Sequence, residues 1–286
     1  MLELTENKIS QQLDDLWDQK RGDAAENLLK AQQLCSDSLN LDYQLGILGS
    51  NIVEAYALQR MEKYTEALYT LEGIADSIQR VPQGKWHVYY FATFGEIYYK
   101  LSIYDIAIEK VGFAIQAAES LKSGKLVAHA KGILGRIYSA VGDYEKAIEF
   151  ALGMLDIDDE LIDWQVKFTA YLNASASYIY TKQPQKAIET AKLAFQFAET
   201  ELTIANAHTN LGGAYTIAEN FDLARHHLEK ALDLHQQLGN KRNQAIVMID
   251  LADYFDKVTF KASNQFSEIF NEIFQIDAII QVDKLV

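Results

Sequence analysis

The groups in this chain with the chemistry to act on something else are six histidines, one cysteine, 40 acidic residues and a scatter of amides and basic side chains. The histidines are His87, His129, His208, His226, His227 and His235. None pairs at the H-x-x-x-H spacing that puts two imidazoles on one helical face toward zinc, and Cys35 has no second thiol to help it. The acidic pair Asp158-Asp159 lacks the D-x-D-x-D-G ladder of a calcium loop, so it reads as solvated loop and cap. No P-loop, G-x-G-x-x-G or G-x-S-x-G stands anywhere, and the glycines of LGG (211–213) sit in a helical pattern rather than a phosphate cradle. Residue chemistry therefore predicts no metal site, no cofactor and no enzyme. What remains is recognition by surface groups, and the elements that present them decide which groups count.

Bulk composition narrows the partner. The chain has 286 residues, 49% of them apolar and 23% charged, as in an ordinary folded protein. Fifteen glycines and two prolines are too few turn signals for a β-sandwich. The formal charge of −14 repels phosphate backbones, so no direct nucleic-acid partner is expected. A lone Cys35 allows no intrachain disulfide. No basic start precedes an apolar stretch at the N-terminus, and no apolar run is long enough for a bilayer. These features predict a soluble, cytoplasmic protein with no membrane partner.

Self-similarity organises the chain. Five segments repeat one pattern: AYALQRMEKYTEAL (55–68), GEIYYKLSIYDIAI (95–108), GRIYSAVGDYEKAI (135–148), SASYIYTKQPQKAI (175–188) and GGAYTIAENFDLAR (212–225). The aligned large residues are Leu58, Tyr98, Tyr138, Tyr178 and Tyr215, at spacings of 40, 40, 40 and 37. Three before each stands a small residue (Ala55, Gly95, Gly135, Ser175, Gly212), where two helices are expected to cross closely. Glycine costs a helix about 1 kcal/mol relative to alanine, so its recurrence implies a packing need. Six after comes Tyr64, Tyr104, Tyr144, Pro184 or Phe221. Nine after is always alanine: Ala67, Ala107, Ala147, Ala187, Ala224. The large residues are expected to be buried against the next unit. Gly142-Asp143 predicts a turn with a helix cap, and Pro184 a first helical turn. Gly22-Asp23 lies 120 residues before Gly142-Asp143, three periods, and Phe255 lies 40 after Tyr215.

These residues resemble the tetratricopeptide repeat over nearly the whole chain. The family's Leu-Gly-x-x-Tyr is complete in LGRIY (134–138) and LGGAY (211–215), and nearly so in FGEIY (94–98). A period near 40 rather than about 34, and a missing proline at the end of the second helix, resemble the longer-repeat subgroup. That subgroup includes kinesin light chains, spindle-orientation adaptors, bacterial pheromone receptors and the input regions of bacterial regulators. HLEKALDLHQQLGNKRNQA (227–245) is similar to the bacterial input regions. The resemblance implies an all-α, helix-turn-helix solenoid wound as a right-handed superhelix of about seven units. Residues 1–41 would form a degenerate first unit, 42–241 the regular repeats, and 242–286 an atypical last unit with a C-terminal helix.

By the same resemblance the first helices line a concave groove that binds a protein or peptide. Asn173 and Asn210, five before the aromatic, occupy the position where the family's peptide binders use an amide, which carries both a donor and an acceptor for a peptide backbone. Arg60, Lys100, Arg136, Tyr99, Tyr180 and His208 are further groove candidates, with Asp250, Asp253 and Asp256 making the last unit acidic. Phe266, Ile269, Phe270, Ile273, Phe274, Ile276, Ile279 and Ile280 make a broad apolar face that predicts a folded-back helix, a homodimer contact through 260–286, or a junction to a downstream domain. The function implied is a regulatory, sensory or scaffold module. The alternatives are a pheromone-receptor-like switch, or the input region of a larger signalling enzyme such as a diguanylate cyclase or histidine kinase.

Overall fold

A computed structural model describes residues 5–18, 22–156 and 163–258. The side chains of 256–258 and everything in 259–286 lie outside the described residues, and with them Asp256 and the apolar C-terminal face. Asp158-Asp159 lies outside as well. Every regular element among the described residues is helical. In order they are α1 (Glu6–Asp18), α2 (Ala24–Asn40), α3 (Gln44–Arg60), α4 (Tyr64–Gly73), α5 (Ala75–Arg80), α6 (Lys85–Lys100) and α7 (Tyr104–Ser120). There follow α8 (Gly124–Val141), α9 (Tyr144–Leu152), α10 (Trp164–Tyr180), α11 (Pro184–Gln196), α12 (Glu201–Ile217), α13 (Phe221–Gln237) and α14 (Lys241–Val258), with a 3₁₀ turn at Gly153–Leu155 after α9. The residues added to the period lie in helix rather than loop: α3, α7, α10, α12 and α13 each run 17 residues.

The chain forms two compact units, Met1–Ile137 and Tyr138–Val286. In the first, α3 packs on α1, α2 and α6, and α6 on α7. In the second, α10, α12 and α14 make a row of first helices, backed by α11 and α13.

One turn recurs between the first and second helix of a repeat. Glu62, Ser102, Gly142, Lys182 and Glu219 all have positive φ, from 53° to 89°. Each lies four after the aligned large residue. The next N–H, of Lys63, Ile103, Asp143, Gln183 and Asn220, reaches back to the carbonyls of Leu58, Tyr98, Tyr138, Tyr178 and Tyr215 at 2.9–3.0 Å. This closes the helix end and satisfies an orphan carbonyl. Four of the five are not glycine, so helix packing holds them in a conformation that L-residues disfavour by about 1–2 kcal/mol. Asp143 and Asn220 then cap the second helices through Lys146 N and Leu223 N, and Pro184 opens α11.

The small position is a contact. A Cβ on Gly95 would lie 2.3 Å from Val111 Cγ2, and one on Gly212 would lie 2.5 Å from Leu228 Cδ2. Ser175 fits because its hydroxyl donates to the carbonyl of the recurring Ala187 at 3.1 Å. Ala67, Ala107, Ala147, Ala187 and Ala224 are all buried. The aromatic position departs from expectation. Only Leu58 and Tyr215 are buried there; Tyr98, Tyr138 and Tyr178 are half-buried, while the preceding Ile97 and Ile137 are fully buried. Tyr138 stacks on Phe150 of its second helix at 5.4 Å and receives Lys146 over its face, Tyr178 receives Lys186, and Tyr98 stacks on Phe94 of its own helix.

Helix α1 joins the core of its unit through Ile9, Leu13, Leu16 and Trp17. Trp17 stacks on Tyr89 at 4.1 Å and meets Trp86 edge-on. Gly49 leaves room for the Trp86 ring, which a Cβ there would approach to 2.8 Å.

Two glycine substitutions separate contact from propensity. Gly95→Ala forces Val111 to move and should destabilise by about 1–3 kcal/mol, as overpacking does. Gly112→Ala, on α7 with nothing within 4 Å of the new Cβ, should stabilise by about 0.5–1 kcal/mol. Urea midpoints of the two variants should therefore move in opposite directions.

Candidate binding site

The residues predicted to line a groove divide between the two units. In the first unit, Tyr99, Lys100 and Arg136 come together around Glu96. The Arg136 guanidinium donates from α8 to the Glu96 carboxylate on α6, and Glu96 keeps only 12% side-chain exposure. Burial pushes the Glu96 carboxyl up, but Arg136, His129 and Lys100 outweigh it and hold it below its usual range. Tyr99 lies beside both cations, 6.0 Å from the Arg136 guanidinium carbon and 5.8 Å from Lys100 Nζ. Arg60 belongs elsewhere: its guanidinium donates to the Gly22 carbonyl in the turn between α1 and α2. Arg136 thus ties two repeats through Glu96, and Arg60 ties α3 to the Gly22 carbonyl.

At the register five before the large residue, the first unit carries Val53, Thr93 and Ile133, all buried. The second unit carries Asn173 on α10, Asn210 on α12 and Asp250 on α14, all partly exposed. Successive first helices in contact thus present two amides and a carboxyl at equivalent positions. Asn210 Nδ2 donates to the Leu172 carbonyl at 2.7 Å, linking α12 to α10. Asn173 Nδ2 is buried and, among the described residues, has no hydrogen-bond partner. Nearer the helix N-termini, Asn243 Nδ2 donates to Asn206 Oδ1 at 2.9 Å. Sequence reasoning missed this second amide pair, although two Asn on successive first helices were there to be read.

Asp250 is pushed up to about 7, first by burial and then by the like charge of Asp253. Tyr180 stands nearby. Burial raises its hydroxyl pKa, and the charges of Asp250 and then Tyr144 raise it further. Its ring is 63% exposed and stacks flat on Tyr144, 4.9 Å between centroids.

His208 is displaced from the groove assignment. It is buried between α12 and α13, with Nδ1 2.8 Å from His227 Nδ1 and its ring edge-on to Phe195. The helical phase that carries Asn210 outward turns His208, two residues earlier, toward the second helix. Burial first, then the neighbouring His227, push its pKa down to about 4. His235 is fully buried, both ring nitrogens are unpartnered among the described residues, and burial lowers its pKa too. Among the described residues no group of three His, Cys, Asp or Glu side chains could hold a metal ion. No helix of the described residues is long and apolar enough to cross a membrane.

The buried histidines fix a pH dependence. Unfolded, they take protons near 6.5; folded, they resist, so the unfolded chain binds more protons below that pH and stability falls. Asp250 works oppositely, because its folded carboxyl gains a proton near 7 and its unfolded one only near 3.8. Thermal midpoints at pH 7.5 and 5.5 should show a fall that His235→Leu flattens and Asp250→Asn steepens.

Comparison with known proteins agrees with this geometry. Tetratricopeptide repeat family models match residues 203–258 and 128–160. A search of curated proteins by sequence finds no match. Among solved structures, a Rap protein complexed with competence and sporulation factor superposes with a TM-score of 0.73 at 14% identity, covering 96% of this chain and 77% of that one. The apo quorum sensor NprR from B. thuringiensis gives 0.65 at 14% identity, covering 92% and 86%. BtubC from P. vanneervenii gives 0.63 at 16%, covering 76% and 92%. At these identities the likeness speaks for the fold. The described residues form an all-α helical array whose segments 128–160 and 203–258 match the tetratricopeptide repeat.

Proposed function

We propose that the chain binds an extended peptide, or a peptide segment of a protein partner, along the α10–α12–α14 row, as the receiving part of a regulatory system. The observation that carries this reading is the Asn173 amide, buried at Nδ2 with no partner. A buried donor left unpaired costs about 1–3 kcal/mol, so such a group is retained where something else satisfies it. A peptide carbonyl is the matching acceptor, and it recurs along any extended chain whatever the side chains. Asn210 stands at the equivalent position one repeat on, its Nδ2 held by Leu172 and its Oδ1 suited to accept a peptide N–H.

The structurally similar proteins include a quorum sensor and a Rap protein solved with competence and sporulation factor bound, which supports the sensory reading. We further propose that the chain is not itself catalytic, needs no cofactor and works in the cytoplasm. Tyr99, Lys100 and Arg136 are kept as a secondary surface through which a protein partner touches the first unit.

Asn173 and Asn210 should part company on substitution. Asn173→Ala removes an unsatisfied donor, so its melting temperature should equal or exceed that of the parent. Asn210→Ala breaks the link to Leu172 and should cost about 0.5–1.5 kcal/mol. Immobilised pools of random hexapeptides provide the binding test. The parent should capture a subset, and Asn173→Ala should hold the same peptides about tenfold more weakly, the equivalent of one well-made hydrogen bond. Undiminished capture by the stable Asn173→Ala protein would remove the peptide from this row.

A further inference from the structure

We infer that Asp250 receives a positively charged group of the bound chain: a lysine or arginine side chain, or a free amino terminus. This rests on the peptide reading above and names the chemistry of its ligand.

Asp250 continues the row of Asn173 and Asn210 onto α14, so a chain lying on those amides arrives at this carboxyl. Among the described residues no hydrogen bond or ion pair reaches it. The charge that acts on it is Asp253, of the same sign. Other acids of the molecule are treated differently. Glu96 holds Arg136, Asp143 holds Lys146, and Glu229 holds Arg225. A carboxylate closed in without a cation is unfavourable and stays protonated well above its ordinary range. Arrival of an ammonium or guanidinium reverses this, because a charge-assisted bond forms where water is scarce.

Tyr180 supplies the second half of the receptor. Its ring is open to solvent, it lies close enough to Asp250 to feel that charge, and Tyr144 holds it flat. An aromatic face beside a carboxylate suits a cation, and a planar guanidinium best. Asn173, with its vacant donor, lies seven residues from Tyr180 on α10. That is two helical turns along the same face, a length of about 10 Å. Two or three residues of extended peptide span it.

The probes are immobilised hexapeptide pools with one position fixed as Arg, Lys, Leu or Glu, each with the amino terminus free or acetylated. They are presented to the parent protein, to Asp250→Asn and to Asn173→Ala. The parent should retain the Arg or Lys pools at least tenfold over Leu and Glu, or free termini at least tenfold over acetylated ones. The two contrasts identify which source supplies the cation. Asp250→Asn should bring that ratio close to one, with a melting temperature no lower than the parent's, because an unpartnered carboxyl has gone. Asn173→Ala should weaken all retained pools together and leave the ratio in place. A ratio unchanged in Asp250→Asn, or a lower melting temperature there, would overturn the cation receptor. So would Asn173-dependent capture with no preference for positive charge, and in that case the peptide reading stands. Capture of no pool by the parent would overturn both.

Discussion

Where the first helix of each repeat crosses the second, the backbones approach so closely that a single methyl group decides the fit. Gly95 meets Val111, Gly212 meets Leu228, and Ser175 fits by donating its hydroxyl to Ala187. Overpacking at such a crossing costs more than glycine's loss of helix propensity, which is why glycine persists inside long helices. The close approach also dictates the turn. A chain that reverses direction within three residues must pass through positive φ, and it does so at Glu62, Ser102, Gly142, Lys182 and Glu219. From crossing and turn together follows the phase of each first helix, and from that phase follows which side chains look outward.

The polar row on α10, α12 and α14 is a consequence of that phase. Residues five before the large position are buried and mostly apolar in the first unit, and polar in the second. Asn210 shows how such a row is both structural and receptive, with one end of its amide holding Leu172 and the other unassigned. Arg136 shows the opposite outcome. Its charge is matched inside the protein by Glu96, and so a residue that reads as a binding cation becomes a tie between helices.

Composition and repeat spacing were enough to determine the helical class, the 40-residue period, the small and alanine contact positions, the capping by Asp143 and the first-turn proline. These follow from local rules, helix periodicity and cap chemistry, that any stretch of sequence displays. Four left-handed turns were not legible, since Glu62, Ser102, Lys182 and Glu219 carry no glycine, and only the pressure of packed helices on either side places them there. Which polar groups remain unmatched was decided wholly by the tertiary structure. Arg136 finds Glu96, His208 finds His227, and Asn210 finds Leu172 across distances in sequence of 40, 19 and 38 residues. A sequence supplies the inventory of donors and acceptors, but satisfaction is a property of pairs in space, and only folding leaves Asn173 Nδ2 and the Asp250 carboxyl unmatched among the described residues.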